Sequence, residues 1–142
     1  MSKRKQSHQS NRKYVYIVAG IGLVLIAAFA LLASRPTTSA TQHISPAEYQ
    51  TQFAQVNAPH LLLDVRTPDE FASGHIHDAV NISVDTLESR LSQVPRNIPV
   101  VVYCHSGNRS AQAAQILTQA GYTTIYDLGG INNWESQGFP VE

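Results

Sequence analysis

A short apolar run, a polar loop and a helical segment follow one another directly in this chain. Residues 98–103 are almost wholly apolar and predict a buried β-strand, and the apolar spacing over residues 111–117 predicts a helix. The loop between them spans residues 104–110. A continuously apolar strand followed by a helix is typical of a parallel sheet covered on both faces. This unit restricts the chain to folds of the α/β class.

Other segments continue the same alternation. Further strands are predicted at residues 61–65, 80–82 and 123–126. Helices are predicted from Ser45-Pro46 onward, over residues 67–71 and 85–94, and in a last segment that follows a turn at residues 128–130 and carries Trp134. The sequence therefore predicts one α/β domain with a small parallel sheet of four to five strands, covered by helices on both faces.

The loop after the 98–103 strand carries the chain's single cysteine, Cys104, so no intrachain disulfide can form. In open α/β sheets, ligands bind beyond the carboxyl ends of the strands, where loop N–H groups and a helix N-terminus attract anions. A thiol in such a loop is favoured as the thiolate, which is the nucleophilic form. We predict that Cys104 is a catalytic nucleophile and that Arg109 binds an anion and stabilises the thiolate.

Charge is divided unequally along the 142 residues. Residues 1–35 contain six Lys or Arg and no acid, whereas residues 36–142 contain four Arg, no Lys and ten acids. An acidic domain without a basic stripe is a poor candidate for nucleic-acid binding, because phosphate neutralisation supplies most of that affinity. We therefore expect no nucleic-acid partner.

Residues 14–34 contain no charged side chain and are mostly Val, Ile, Leu, Ala, Phe and Gly. An apolar helix of about 20 residues spans the hydrocarbon core of a bilayer. Five Lys or Arg precede this run and one follows closely, so the positive-inside rule places residues 1–13 in the cytoplasm as a basic tail. The sequence predicts a single-pass membrane protein with a transmembrane helix over residues 14–34 and its domain outside, periplasmic if the source is bacterial.

A cleaved signal peptide is the alternative for this segment, since Ala28 and Ala30 provide a small-x-small cleavage site. Both interpretations export the domain. Residues 35–42 contain Pro36 and several Ser and Thr, which indicates a polar linker. The folded domain is then predicted to span residues 43–142.

Four motifs occur in a fixed order along this domain. They are Asp64-Val65-Arg66-Thr67-Pro68-Asp69-Glu70-Phe71, Gly74-His75-Ile76 with Ala79-Val80-Asn81-Ile82, Cys104-x-x-Gly107-x-Arg109-Ser110, and Leu128-Gly129-Gly130 with Trp134. Together they resemble the single-domain rhodanese (thiosulfate sulfurtransferase) family. The resemblance extends over residues 41 to 142, which is nearly all of the chain beyond the apolar segment.

The resemblance implies the rhodanese α/β fold and a role for Cys104 as the residue that accepts a sulfane sulfur and becomes a persulfide. It implies small sulfur-containing anions as donors and a thiol or cyanide as acceptor, with no cofactor and no metal. Asp64, Arg66 and Glu70 are expected to form a structural hydrogen-bonded cluster. The residues expected to bind the substrate anion are Arg109, His105, Ser106, Gly107, Asn108 and Ser110.

Three alternatives are less favoured by the residues. Phosphatases that use the same kind of loop have one residue more before the arginine, whereas four residues separate Cys104 from Arg109 here, so a phosphatase or another thiol-dependent enzyme is the runner-up. A non-catalytic sulfur-carrier or binding module is a second alternative. His75 and His77 could suggest a metal pair, but loop histidines at this spacing are expected to be structural.

Overall fold

The computed structural model describes residues 41–142. The predicted basic tail, the transmembrane helix at 14–34 and most of the predicted linker lie outside these residues. Among the helices that the structure does describe, none combines the length and the apolar character needed to cross a bilayer.

Strands and helices alternate along the described residues. The elements are β1 (Gln42–His43), α1 (Pro46–Tyr49), β2 (Leu61–Asp64), α2 (Pro68–Ala72), β3 (Val80–Asn81), α3 (Val84–Leu87), β4 (Val100–Cys104), α4 (Asn108–Gln119), β5 (Ile125–Gly130) and α5 (Ile131–Ser136). Helix α1 continues into a π-helical turn over Gln50–Ala54, and α3 continues into a 3-10 turn over Glu88–Gln93.

The five strands form one parallel sheet in the order β1-β5-β4-β2-β3. Strand β4 lies at the centre, and all five of its residues are buried. The prediction of a parallel sheet of four to five strands is confirmed. Because parallel strands share one direction, the carboxyl ends of β2, β4 and β5 lie at the same edge of the sheet.

The side chains of β4 alternate between two apolar layers, one on each face of the sheet. Val100, Val102 and Cys104 pack with residues of α3 and α4, including Leu117. Val101 and Tyr103 pack on the other face with residues of α1 and α5. Since a fully buried aliphatic side chain contributes about 1.5–3 kcal/mol, this two-sided burial fixes the position of β4 strongly.

The first strand was not predicted by the sequence, which assigned Gln42 to the linker. In the structure Gln42 pairs with Tyr126, and His43 pairs with Asp127, at the edge of the sheet. Both residues of β1 are exposed and polar, so they lack the apolar run that marks a buried strand. Gln42, which the sequence placed in the linker, is therefore part of the sheet.

Strand β5 also differs from its prediction, which placed a strand at 123–126 and a turn at 128–130. The strand runs from Ile125 to Gly130, and its register against β4 shifts between Val102 and Tyr103. The shift is accommodated at Gly129, whose φ is +80°, a conformation that a side chain disfavours. Gly129 therefore marks a bulge within the strand, and the strand ends at Gly130.

The predicted helix starts at Ser45 and Thr67 are confirmed. In α2, the Glu70 N–H donates to Thr67 Oγ1 at 3.3 Å, and the Thr67 N–H donates to Glu70 Oε2 at 3.0 Å. The same reciprocal pair joins Ser45 and Glu48 at the start of α1. Such a capping box satisfies N–H groups that have no acceptor within their own helix.

Gly130 lies where β5 comes closest to the loop that follows β4. A Cβ atom added there would lie 2.6 Å from the carbonyl oxygen of His105 and 2.7 Å from Cα of Ser106. The backbone of Gly130 is extended, at φ −105° and ψ 139°, so space rather than conformation excludes a side chain. Loop and strand can pack this closely only because residue 130 has no side chain.

We expect Gly130→Ala to lower the free energy of unfolding by about 3 kcal/mol, the upper end of the range for overpacking, because rigid backbone must move. Gly138→Ala is the matched control, since Gly138 has a positive φ but nothing within 4 Å of its added Cβ. That variant should lose only about 1–2 kcal/mol through backbone strain. Urea unfolding of both variants measures the difference, and equal losses would contradict the steric explanation.

Candidate active site

Cys104 is the last residue of the central strand β4, and only 1% of its surface is exposed. The loop after it turns back over the sulfur, so that the Gly107 N–H donates to Cys104 Sγ at 3.1 Å. Gly107 has φ +106°, which only glycine adopts without strain. The backbone thus places a hydrogen-bond donor on the sulfur, where it can stabilise negative charge that develops during a reaction.

Helix α4 begins at Asn108, immediately after Gly107, and extends for 12 residues. The hydroxyl of the buried Ser110 donates to the Gly107 carbonyl at 2.9 Å, and the Ala111 N–H donates to the same oxygen at 3.1 Å. These bonds hold the loop onto the first turn of the helix. The helix N-terminus, with its partial positive charge, therefore lies in the same short loop as the sulfur.

In the rest of the loop, the backbone is packed and the side chains of three residues are exposed. The His105 carbonyl accepts from the Asn132 N–H at 3.3 Å, and its backbone packs against Gly130. The side chains of His105, Ser106 and Asn108 are exposed. These residues, predicted to bind the substrate anion, belong to the loop that follows the buried sulfur, and their binding roles stay predictions.

Arg109 forms an ion pair with Glu70 of α2. Its two terminal nitrogens, Nη1 and Nη2, each donate to a different carboxylate oxygen of Glu70 at 2.7 Å. Both side chains are about one-third exposed. The Arg109 guanidinium and the Thr67 donors lower the pKa of Glu70 to about 2, and Glu70 raises the pKa of Arg109. A negative charge on Cys104 contributes in the same direction to the pKa of Arg109.

The predicted cluster of Asp64, Arg66 and Glu70 is divided in the structure. Asp64 and Arg66 are buried and bonded to each other, with Arg66 Nη2 donating to Asp64 Oδ2 at 2.6 Å and to the Gly74 carbonyl at 2.7 Å. Glu70 is not joined to them by a hydrogen bond, and its carboxylate instead accepts from Thr67 and Arg109. Two of the three residues tie β2 to the loop at Gly74, and the third belongs to the Cys104 site.

The paired histidines of the Gly74-His75-Ile76 segment contact the last residue of the chain. His77 Nδ1 lies 2.8 Å from Glu142 Oε2, and His75 Nε2 lies 3.5 Å from Glu142 Oε1. The backbones of His75 and Glu142 also exchange hydrogen bonds at 2.8 and 2.9 Å. The histidines thus fasten the end of the chain to the loop before β3.

Sequence reasoning missed two features of the site, the Glu70–Arg109 pair and the close approach of Gly130. The first leaves a signal: Glu70 follows β2, Arg109 follows β4, and these strands are neighbours in the sheet. An acidic and a basic side chain that lie just beyond the carboxyl ends of neighbouring strands come within reach of each other. The close approach of Gly130 depends on the bulge in β5, which the residue pattern of the chain does not predict.

The arrangement combines a buried sulfur nucleophile, a backbone N–H donor on that sulfur, a helix N-terminus and an adjacent arginine. Such a site can form a covalent bond at sulfur and hold an anion as it arrives or leaves.

Three comparisons with known proteins find relatives of this chain. The family model of the rhodanese-like domain matches residues 45–137. A sulfurtransferase of Allochromatium vinosum is 44% identical over 82 residues, covering 57% of this chain and 77% of its own.

Solved structures show the same fold. A rhodanese-related protein of Thermoplasma volcanium has a TM-score of 0.63 and 33% identity, covering 71% of this chain and 97% of its own. The rhodanese-like domain of an Anabaena protein has a TM-score of 0.66 and 24% identity, covering 72% of this chain and 80% of its own. The family model matches well over half of the chain, and the parallel α/β sheet agrees with it, so the chain belongs to the family of rhodanese-like domains.

Proposed function

We propose that this protein is a sulfurtransferase in which Cys104 carries the transferred sulfur as a persulfide. The observation that carries the proposal is the hydrogen bond from the Gly107 N–H to Cys104 Sγ at 3.1 Å, at the carboxyl end of the central strand. The rhodanese-like family and the relative named a sulfurtransferase support sulfur transfer as the class of reaction.

In the first step, the Cys104 thiolate attacks the outer sulfur of a sulfane donor. With thiosulfate, the Cys104 Sγ–S bond forms, the S–S bond of thiosulfate breaks, and sulfite leaves with the electron pair of that bond. The cysteine becomes a persulfide. Charge on the departing anion is stabilised by the loop N–H groups and by the N-terminus of α4.

In the second step, an acceptor such as cyanide or a thiol attacks the terminal sulfur of the persulfide. The bond between this sulfur and Cys104 Sγ breaks, and the thiolate is regenerated. No electron carrier is consumed, because oxidation of the acceptor balances reduction of the persulfide. Two half-reactions through a covalent intermediate predict ping-pong kinetics.

Incubation of the full chain with thiosulfate should raise its intact mass by one sulfur atom, and cyanide should remove that atom as thiocyanate. Cys104→Ser should show no mass increase, because a hydroxyl does not form a persulfide. Cys104 is the chain's single cysteine, so the result assigns the sulfur without peptide mapping. Release of phosphate from an aryl phosphate, with no sulfur uptake, would contradict the proposal and favour the phosphatase alternative.

Arg109→Ala should lower kcat/KM for thiosulfate by roughly ten- to a hundredfold, because a lost charge-assisted hydrogen bond costs about 1.5–3 kcal/mol. The variant also leaves the Glu70 carboxylate without its partner. Arg109→Lys should recover part of the loss, since an ammonium keeps the charge but lacks the planar fork. Arg90→Ala is the control, because Arg90 is only partly buried and its guanidinium bonds to Gln93, away from the Cys104 loop. Equal kinetics for Arg109→Ala and Arg90→Ala would exclude Arg109 from the reaction.

We also propose that residues 14–34 anchor the protein in a membrane and that the domain lies outside, in the periplasm if the source is bacterial. The proposal is supported by the uncharged apolar run and by the five basic residues before it. It places sulfur transfer in an exported compartment.

When the full chain is expressed in a bacterial host, it should remain with the membranes after a carbonate wash. Protease added to spheroplasts should digest the domain. A domain protected from the protease would contradict the proposed orientation. A soluble product that lacks residues 1–30 would instead identify the apolar run as a cleaved signal peptide.

A further inference from the structure

Positive charge is scarce in the part of the chain that the structure describes, residues 41–142. It contains no lysine, and each of its four arginines already has a polar or charged partner. These pairs are Arg66 with Asp64, Arg90 with Gln93, Arg96 with the Ala120 carbonyl, and Arg109 with Glu70. Arg109 is the arginine in the first turn of α4, next to the Cys104 loop.

The Glu70 carboxylate faces Arg109 symmetrically, with one oxygen on each terminal nitrogen at 2.7 Å. The carboxylate charge offsets part of the attraction that the guanidinium exerts on an approaching anion. An incoming anion is attracted by the guanidinium and repelled by the carboxylate. The repulsion grows in proportion to the charge of the anion.

Glu70 is also held in place from its own helix. The backbone N–H and the hydroxyl of Thr67 both donate to Glu70 Oε2 at 3.0 Å. An anion that displaced Glu70 from Arg109 would have to disturb the start of α2 as well. The negative charge is therefore a fixed part of the site.

Resting on the sulfur transfer proposed above, we propose that Glu70 selects the sulfur donor by charge. It disfavours dianions such as thiosulfate, and it favours sulfane donors with a single negative charge, whose leaving group is a sulfinate or a thiolate. Glu70 acts through Arg109 and through its own charge, as a specificity residue that does not touch the transferred sulfur.

Two donors with the same reacting group and different charge test this selection. Thiosulfate is a dianion that passes its outer sulfur to Cys104 and leaves as sulfite. Methanethiosulfonate is a monoanion that passes its outer sulfur to Cys104 and leaves as methanesulfinate. With both donors, one S–S bond forms as another breaks, and the departing sulfite or methanesulfinate keeps the electron pair of the broken bond.

The experiment compares kcat/KM for both donors in the full chain, with cyanide as acceptor and thiocyanate as product. Glu70→Gln removes the charge and keeps an oxygen that can accept from Thr67. We expect the variant to raise kcat/KM about threefold for methanethiosulfonate and about tenfold for thiosulfate, because the Coulomb energy doubles with the donor's charge. Added salt should shrink the difference between the donors.

Glu48→Gln is the matched control, because Glu48 forms the same capping box with Ser45 at the start of α1, with hydrogen bonds of 2.7 Å. Glu48→Gln should leave kcat/KM for both donors unchanged. Glu70→Ala removes the cap together with the charge, and the ratio of thiosulfate to methanethiosulfonate activity should still rise even if both rates fall.

An equal change for both donors in Glu70→Gln, or a fall in the activity ratio, would overturn the inference and assign Glu70 a purely structural role. That result is distinct from failure of the proposed function. If the proposed function failed, neither the unaltered chain nor the Glu70 variants would take up sulfur from either donor.

Discussion

The burial of β4 on both faces is the constraint from which the rest of the site follows. Its five residues are enclosed, pair with β2 on one side and β5 on the other, and divide their side chains between two apolar layers. A strand held this way has no freedom to shift. The sulfur of Cys104 is therefore placed by the core, and the loop that follows needs only to close over it.

The parallel arrangement gives each neighbour of β4 a separate part in the site. Beyond the end of β2 comes α2, whose capped first turn presents Glu70 to Arg109. Strand β5 ends beside the Cys104 loop at Gly130. Strand β2 thus leads to the carboxylate that pairs with Arg109, and β5 limits the path of the Cys104 loop.

Much of this could be predicted from the residues, because buried parallel strands and capped helix starts leave strong local patterns. The strand before Cys104, the helix after it and the capped turn at Thr67 were predicted from such patterns and agree with the structure. Strand β1 was missed because its two polar residues gain their strand conformation only by pairing with β5. The separation of Glu70 from Asp64 and Arg66 was missed because it depends on which strands are neighbours, and spacing along the chain does not determine that order.

The absent side chain at Gly130 also bears on how this site can diverge. The backbone of His105 and Ser106 occupies the space that a side chain at residue 130 would need, so this position requires glycine whatever the substrate. The side chains of His105, Ser106 and Asn108 are exposed and can be exchanged without disturbing the core. Substitutions of these exposed side chains can therefore change what the loop contacts, whereas the packing of the loop against β5 requires glycine at residue 130.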